Sequence, residues 1–342
     1  MIKPLKIGNL LITFPVILAP MAGYTDSAMR SLCGLFNCGL TFTEVVNAAA
    51  VVHGSRRTLH LLETCFDTVP VAAHLYGSDP SVVAEAVSIV AALDRFCMID
   101  INCGCPVRRI VAKGAGAALM QTPERIYDMV KAAGSATKLP VTVKTRIGWQ
   151  PETMNIMEIA QAVTEAGGAA ISIHARFATA KHSGPSNWDI LAQVKNAVEI
   201  PVIGNGGISS ASDATAMFSR TGVNAVMIGR AAIGNPWIFA EIEARLSCHD
   251  YMEHSDKEHA EIVRNHLTKL THLKTIEYSL RRKRVLPPET SAVLHFRGHL
   301  AKYLAGKPGW SLVRKNLHSI NTPERVMNAV ATALSDLTPF SN

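Results

Sequence analysis

Short runs of consecutive apolar residues alternate, over the first two-thirds of the chain, with longer stretches whose apolar positions recur every three to four residues. The runs lie at 16–19, 40–43, 71–75, 98–101, 141–143, 170–173, 201–203 and 225–228. Helix-length amphipathic segments at 81–93, 123–133, 155–166 and 211–219 fall between them. Each run has the length and apolar continuity of a strand buried on both faces. Eight β-then-α units in about 230 residues predict a (β/α)8 TIM barrel, an α/β fold. An open doubly wound sheet also alternates, but no Gly-x-Gly-x-x-Gly follows the first run. Ahead of the barrel, residues 5–7 and 10–13 flank Gly8-Asn9 and read as a small hairpin.

Beyond Arg245 the strand runs stop. Val263, Leu267, Leu270, Leu273, Ile276 and Leu280 recur at helical spacing. Arg281-Arg282-Lys283-Arg284 follows, and Pro287-Pro288 makes a break before a helix expected over 292–304. Thr322-Pro323 opens a last helix with the stripe Val326, Val330, Leu334 and Leu337. The expected organisation is a catalytic barrel over 1–244 and a small all-helical C-terminal domain over 245–342.

Composition narrows the class. Of the 342 residues, 48% are hydrophobic and 18% charged, which describes a folded chain and excludes a disordered one. Seven cysteines without regular spacing point to free thiols in a reducing cytoplasm. Lys3 and Lys6 before an apolar stretch have the outline of a signal peptide, but Gly8-Asn9 and Pro15 favour turn and strand. No uncharged apolar run approaches the ~18 residues of a membrane span. We expect a monomer in the cytoplasm, away from membranes. The net charge of +7 is uneven: residues 1–244 hold 19 basic against 18 acidic residues, and 245–342 hold 15 against 9. A near-neutral body with a basic tail suits a polyanionic partner, and a solvated basic face would look the same.

In a TIM barrel the chemistry gathers at the C-terminal strand ends. The residues just past the runs are Pro20-Met21-Ala22-Gly23, Glu44, His74, Asn102 to Cys105, Lys144-Thr145-Arg146, His174-Ala175-Arg176, Asn205-Gly206-Gly207 and Gly229-Arg230. Gly206-Gly207 and Gly229-Arg230 read as a phosphate site, with a helix starting near Ser209-Ser210 adding its positive end. Lys144 would point into the mouth. Flavin mononucleotide (FMN) fits this arrangement, with Lys144 beside its electron-rich ring edge. Pyridoxal phosphate, with Lys144 as the Schiff base, is the rival. Cys105 is a thiol held on a constrained loop between Gly104 and Pro106: an acid or nucleophile, a small apolar filler, or half of a Cys103/Cys105 metal pair. No second pair completes such a site, so no metal is expected.

Together these motifs carry a family resemblance. Ala19-Pro20-Met21-Ala22-Gly23, Thr43-Glu44, Asn102-x-Gly-Cys105-Pro106, Lys144-x-Arg146-x-Gly148-Trp149, His174-x-Arg176, Asn205-Gly206-Gly207 and Gly229-Arg230 through Gly234-Asn235-Pro236-Trp237 occur in this order. The ordered set resembles the tRNA-dihydrouridine synthase family over about residues 8–240, and more loosely through His299, Tyr303-Leu304, Gly306 and Arg314. The resemblance implies an FMN enzyme, reduced by NADPH or NADH, that reduces the 5,6-double bond of uridine in tRNA. Cys105 would protonate C5 after hydride reaches C6. It places Pro20, Met21, Ala22, His74, Lys144, His174, Asn205, Gly206, Gly207, Gly229 and Arg230 on the cofactor, and Asn102, Arg146 and Arg176 on the substrate. Three features depart from the family: His74 stands where a Gln is usual, the 176–184 loop reads differently, and Cys103 replaces a larger apolar residue. An idle RNA-binding descendant is the alternative that His74 and the altered loop leave open; a flavin enzyme acting on a small pyrimidine is a further one, against which the basic tail argues.

Overall fold

A computed structural model describes residues 3–280 and 286–334. The basic run at 281–284 and Leu337 lie outside the described residues. All eight apolar runs form parallel barrel strands. They are β3 (Val16–Leu18), β4 (Thr41–Phe42) with its continuation β5 (Val46–Asn47), β6 (Val71–Tyr76), β7 (Met98–Asn102), β8 (Val141–Arg146), β9 (Ala170–His174), β10 (Val202–Asn205) and β11 (Ala225–Ile228). The order is β3-β11-β10-β9-β8-β7-β6-β4, and a parallel bridge from Ile17 to Leu40 brings the two ends together. The antiparallel hairpin β1 (Leu5–Ile7) and β2 (Leu10–Ile12) turns through Gly8 at φ 58. Leu5, Ile7 and Ile12 join Ile17, Leu40, Phe42, Ala72, Met98, Ala170, Ile203, Ala225 and Met227 in one apolar cluster. The hairpin therefore plugs the N-terminal end of the barrel, and the opposite end is left for chemistry.

Alternation along a strand decides which side chains enter the barrel. From the bottom cluster, every second residue upward faces inward: His74, Asp100 with Asn102, Thr142 with Lys144 and Arg146, Ser172 with His174, and Asn205. The intervening Ala73, Leu75, Ile99, Ile101, Val143, Ile171 and Ile173 face outward and are buried in the main core. The surrounding helices are those expected within a few residues: Pro80–Ala91, Pro123–Ser135, Ile156–Glu165 and Ala211–Thr221. Two strands run further than their apolar letters. β8 continues through Lys144-Thr145-Arg146, and Asn102 is the last residue of β7 rather than its interruption.

The tail is helical, with helices over Asp256–Ser279, Pro288–Tyr303, Trp310–Asn316 and Pro323–Ala333. Ser255 and Glu258 form a capping box at the first of these. Its buried stripe is Val263, Leu267, Leu270 and Leu273, and it ends before Ile276. This core takes in Trp237 and Ala28 from the barrel side. The helix Ile238–Leu246 runs through residue 244. Among the described residues no helix is long and apolar enough to cross a membrane.

Candidate active site

The inward positions change character one layer above the plug. Register places His74 beside Asp100, Asn102 beside Lys144, Lys144 beside Ser172, and His174 beside both Arg146 and Asn205. A polar ring thus lines the barrel below the mouth.

The Cys105 loop is tied from several sides. Asn102 Oδ1 accepts the N–H groups of Gly104 (3.1 Å) and Cys105 (3.0 Å). Arg146 Nε donates to Gly104 O at 2.9 Å, and Ala117 N–H donates to Cys105 O at 3.0 Å. Gly104 is required by close approach, since a Cβ there would lie 2.9 Å from the Thr145 carbonyl carbon. Cys105 itself is half-buried. Cys103, two residues earlier, faces outward and is fully buried, and burial raises its thiol pKa well above the ordinary range. The two sulfurs therefore serve different sides of the wall, which removes the paired-metal reading. Among the described residues no group of three or more His, Cys, Asp and Glu could hold a metal ion.

The wall next to this loop is cationic. Lys144 Nζ donates to Asn205 Oδ1 at 3.2 Å, and Asn205 Nδ2 donates to Met227 O at 2.7 Å. Burial first, and Arg146 second, pull the Lys144 pKa down to about 8. His174 is pushed far below the usual imidazole range by burial and then by Lys144, Arg146 and Arg176, so its ring is neutral. Gly206 and Gly207 have φ of 100 and 81. A Cβ on Gly206 would sit 2.4 Å from His174 Cδ2. Ser172 Oγ and Ser186 Oγ are buried without a hydrogen-bond partner. A Cβ on Gly207 would meet that Ser186 hydroxyl at 2.9 Å, so the unpaired donor faces the glycine pair. Bare backbone, an unpaired hydroxyl and a lysine with donors to spare fit the phosphate and polar ring of a flavin.

Several residues sit differently from the sequence expectation. His74 is 1% exposed, and its ring nitrogens face Asp100 Oδ2 (2.6 Å) and Asn102 Nδ2 (2.9 Å) rather than the mouth. Arg146 spends its guanidinium on carbonyls: besides Gly104, Nη1 reaches Phe177 O (3.1 Å) and Lys181 O (2.6 Å). Arg176 donates to Gly184 O (2.9 Å) and lies 3.2 Å from His174 Nε2, and Arg230 donates to His182 O (3.3 Å). Three arginines thus clamp the 177–184 loop over the mouth. The helix at Ala211–Thr221 offers less positive end than expected, because Asp213 Oδ2 already accepts from Ser209 N and Ser210 N. Pro20, Met21 and Ala22 form the loop after β3, where Met21 N–H donates to Thr25 Oγ1 at 2.9 Å. Gly23 N–H donates to the Glu44 carboxylate. Gly229 lies at the end of β11, half-buried beside Ala19. Asp100, Thr142, Ser172 and Ser186 were not singled out by the sequence. For the first three, two-residue spacing from Asn102, Lys144 and His174 was the available signal.

The fold and site define a (β/α)8 barrel with a pinned thiol and a cationic wall at its mouth, followed by a helical C-terminal region. The chain belongs to the dihydrouridine synthase family, flavin-dependent oxidoreductases, whose family model matches residues 17–338. It is 35% identical over 337 residues to tRNA-dihydrouridine synthase B of Vibrio cholerae, covering 95% of this chain and 97% of that one. It is 37% identical over 253 residues to the probable tRNA-dihydrouridine synthase of Treponema pallidum, covering 71% and 74%. Among solved structures, an old yellow enzyme homologue from Zymomonas mobilis superposes with a TM-score of 0.52 at 11% identity, over 73% of this chain and 93% of that one. Histamine dehydrogenase from Rhizobium sp. 4-9 does so at 0.57 and 13%, over 98% and 64%. At such identities these two carry the fold alone. Family membership removes the pyridoxal phosphate alternative.

Proposed function

We propose that this chain reduces the 5,6-double bond of uridine in tRNA, with FMN as the flavin and NADPH as reductant, and with Cys105 as proton donor. The observation that carries this is one pinned, half-buried thiol just past β7, beside the strand that brings Lys144 into the barrel, with Asn205 and the Gly206-Gly207 backbone further round the same mouth. FMN, when bound and reduced, supplies hydride to C6 of the uridine. Lys144, Asn205, His174, Gly206, Gly207, Gly229 and Arg230 would hold it, with Pro20 to Ala22 along its ring.

Hydride addition leaves enolate-like charge at C5 and O4. Cys105 Sγ gives its proton to C5, as a general acid. Arg176 and Asn102 lie beside this space and would orient the base, each with donor hydrogens beyond those already used. The uridine must leave its stack to enter the mouth. The excess positive charge of residues 245–342 supports a tRNA partner. Cys105→Ala is expected to keep bound flavin and NADPH oxidation while dihydrouridine, followed by mass spectrometry of the tRNA, falls by about 10²-fold or more. Undiminished product would remove Cys105 from the mechanism.

A further inference from the structure

Below the mouth, a line of hydrogen bonds runs from Asp100 to the backbone of the thiol itself. Thr142 Oγ1 donates to Asp100 Oδ1 at 2.6 Å, and Asp100 Oδ2 faces His74 Nδ1 at 2.6 Å. His74 Nε2 lies 2.9 Å from Asn102 Nδ2, and Asn102 Oδ1 takes the Gly104 and Cys105 N–H groups. All three side chains are buried, with exposures of 0% for Asp100, 1% for His74 and 7% for Asn102.

Both ends of this line fix the protons along it. Backbone N–H groups only donate, so Asn102 turns its oxygen to them and its NH2 to His74. His74 Nε2 must therefore accept. At the other end a carboxylate only accepts, so His74 Nδ1 carries the hydrogen. One form satisfies both contacts, the neutral Nδ1–H tautomer. The opposite tautomer, or an imidazolium, would point Nε2–H at the Asn102 NH2. The carboxamide would then flip and turn its NH2 onto the Gly104 and Cys105 N–H groups, and the loop would lose its anchor.

We infer that His74 is a positioning residue: held by Asp100, it fixes the Asn102 carboxamide and through it the Gly104–Cys105 backbone that aims the thiol. This rests on the reading of Cys105 as proton donor. It also gives the residue that departs from the family pattern a task inside the wall. Both ring nitrogens are committed there, and no polar atom of the ring is left to face the mouth.

The test compares His74→Phe and His74→Gln as flavin-loaded full chains, in a background where the exposed Cys65 and Cys248 are serine. Alkylation of Cys105 by iodoacetamide is followed alongside kcat and KM for dihydrouridine formation. His74→Phe is expected to raise the alkylation rate about fivefold as the loop loosens, and to lower kcat by about 10- to 100-fold with KM within about threefold. His74→Gln can donate to Asp100 and accept from Asn102, and should restore both readouts to within about threefold. An unchanged alkylation rate in His74→Phe, or no recovery in His74→Gln, overturns the inference. If His74→Phe does not fold, nitrogen-15 imidazole spectra of the parent protein decide, with His74 assigned by its loss in His74→Gln. Protonated Nδ1 and bare Nε2 at neutral pH support the inference, and any other form refutes it. The alkylation and tautomer results do not depend on the reaction, so a fully active Cys105→Ala would sink the proton-donor reading separately.

Discussion

Glu44 offers a sharp test of the electrostatics around the mouth. It stands between β4 and β5, half-buried, with its carboxylate accepting the Gly23 N–H from the loop after β3. Burial, and then the neighbouring Asp26, raise its pKa from 4.5 to about 7, against lowering contributions from Gly23, Lys274 and Arg30. A carboxyl group raised in the folded state stabilises the fold below its unfolded pKa, and that contribution is lost as pH climbs to the folded value. The loss therefore falls between about pH 4.5 and 7, with no further change above. A lift of this size corresponds to about 3 kcal/mol at about 1.4 kcal/mol per unit. Solvent screening of the half-buried group reduces it to about 2 kcal/mol between pH 5 and 8. Glu44→Gln keeps an oxygen for the Gly23 N–H and removes the ionisation. With about 2 cal/mol/K of unfolding entropy per residue, the variant should gain about 3 °C more in Tm over the wild type at pH 8 than at pH 5. The assay is thermal unfolding followed by circular dichroism at both pH values. An equal shift at the two, or a larger gain at pH 5, would refute the assignment of strain to the Glu44 charge.

Two further substitutions probe the site. Gly206→Ala should cost about 2–5 kcal/mol, from about 1–2 for the left-handed backbone and about 1–3 for displacing His174; it should also lower the flavin content of the purified protein, and a normal visible spectrum with an unmoved Tm would contradict the proposed cradle. Arg146→Lys keeps the charge but cannot span Gly104, Phe177 and Lys181 carbonyls together, so about 3 kcal/mol of charged hydrogen bonding is lost from the two loops. Its kcat should fall while the KM for tRNA stays within about threefold, with faster proteolysis in the 177–184 loop. A rise in KM alone would instead make Arg146 a substrate contact.

The barrel was legible because its outward strand positions face helices and are apolar, so each strand shows as a run even where its inward residues are polar. That same reading loses the chemistry. The run 141–143 stops where Lys144 and Arg146 enter the barrel, yet the strand continues to Arg146. Asp100 passes as one polar letter in an apolar run, although it shares the inward face with Asn102 and anchors His74. The sequence does contain the correction for the phosphate end. Ser210-x-x-Asp213 is a capping box, and it declares that part of the donor set at the helix start is already used.

Packing of the helical domain onto the barrel lies beyond any such spacing. It is set by contacts between residues far apart in sequence. Trp237, at the end of the Gly234-Asn235-Pro236 segment, stacks on His254 at 3.8 Å and meets Tyr303 edge-on at 6.0 Å. Tyr24, three residues past Met21, packs edge-on against His299 at 5.1 Å. The backbone at Gly234 passes so close to the helix Pro288–Tyr303 that a Cβ would lie 2.4 Å from Tyr303 N. The loop after β3 and the segment after β11 both belong to the proposed flavin wall, and both bear directly on the helical domain. A tRNA held by that domain would be referenced to the cofactor through these two contacts. On that reading, the orientation of a bound RNA would be coupled to the same residues that shape the mouth.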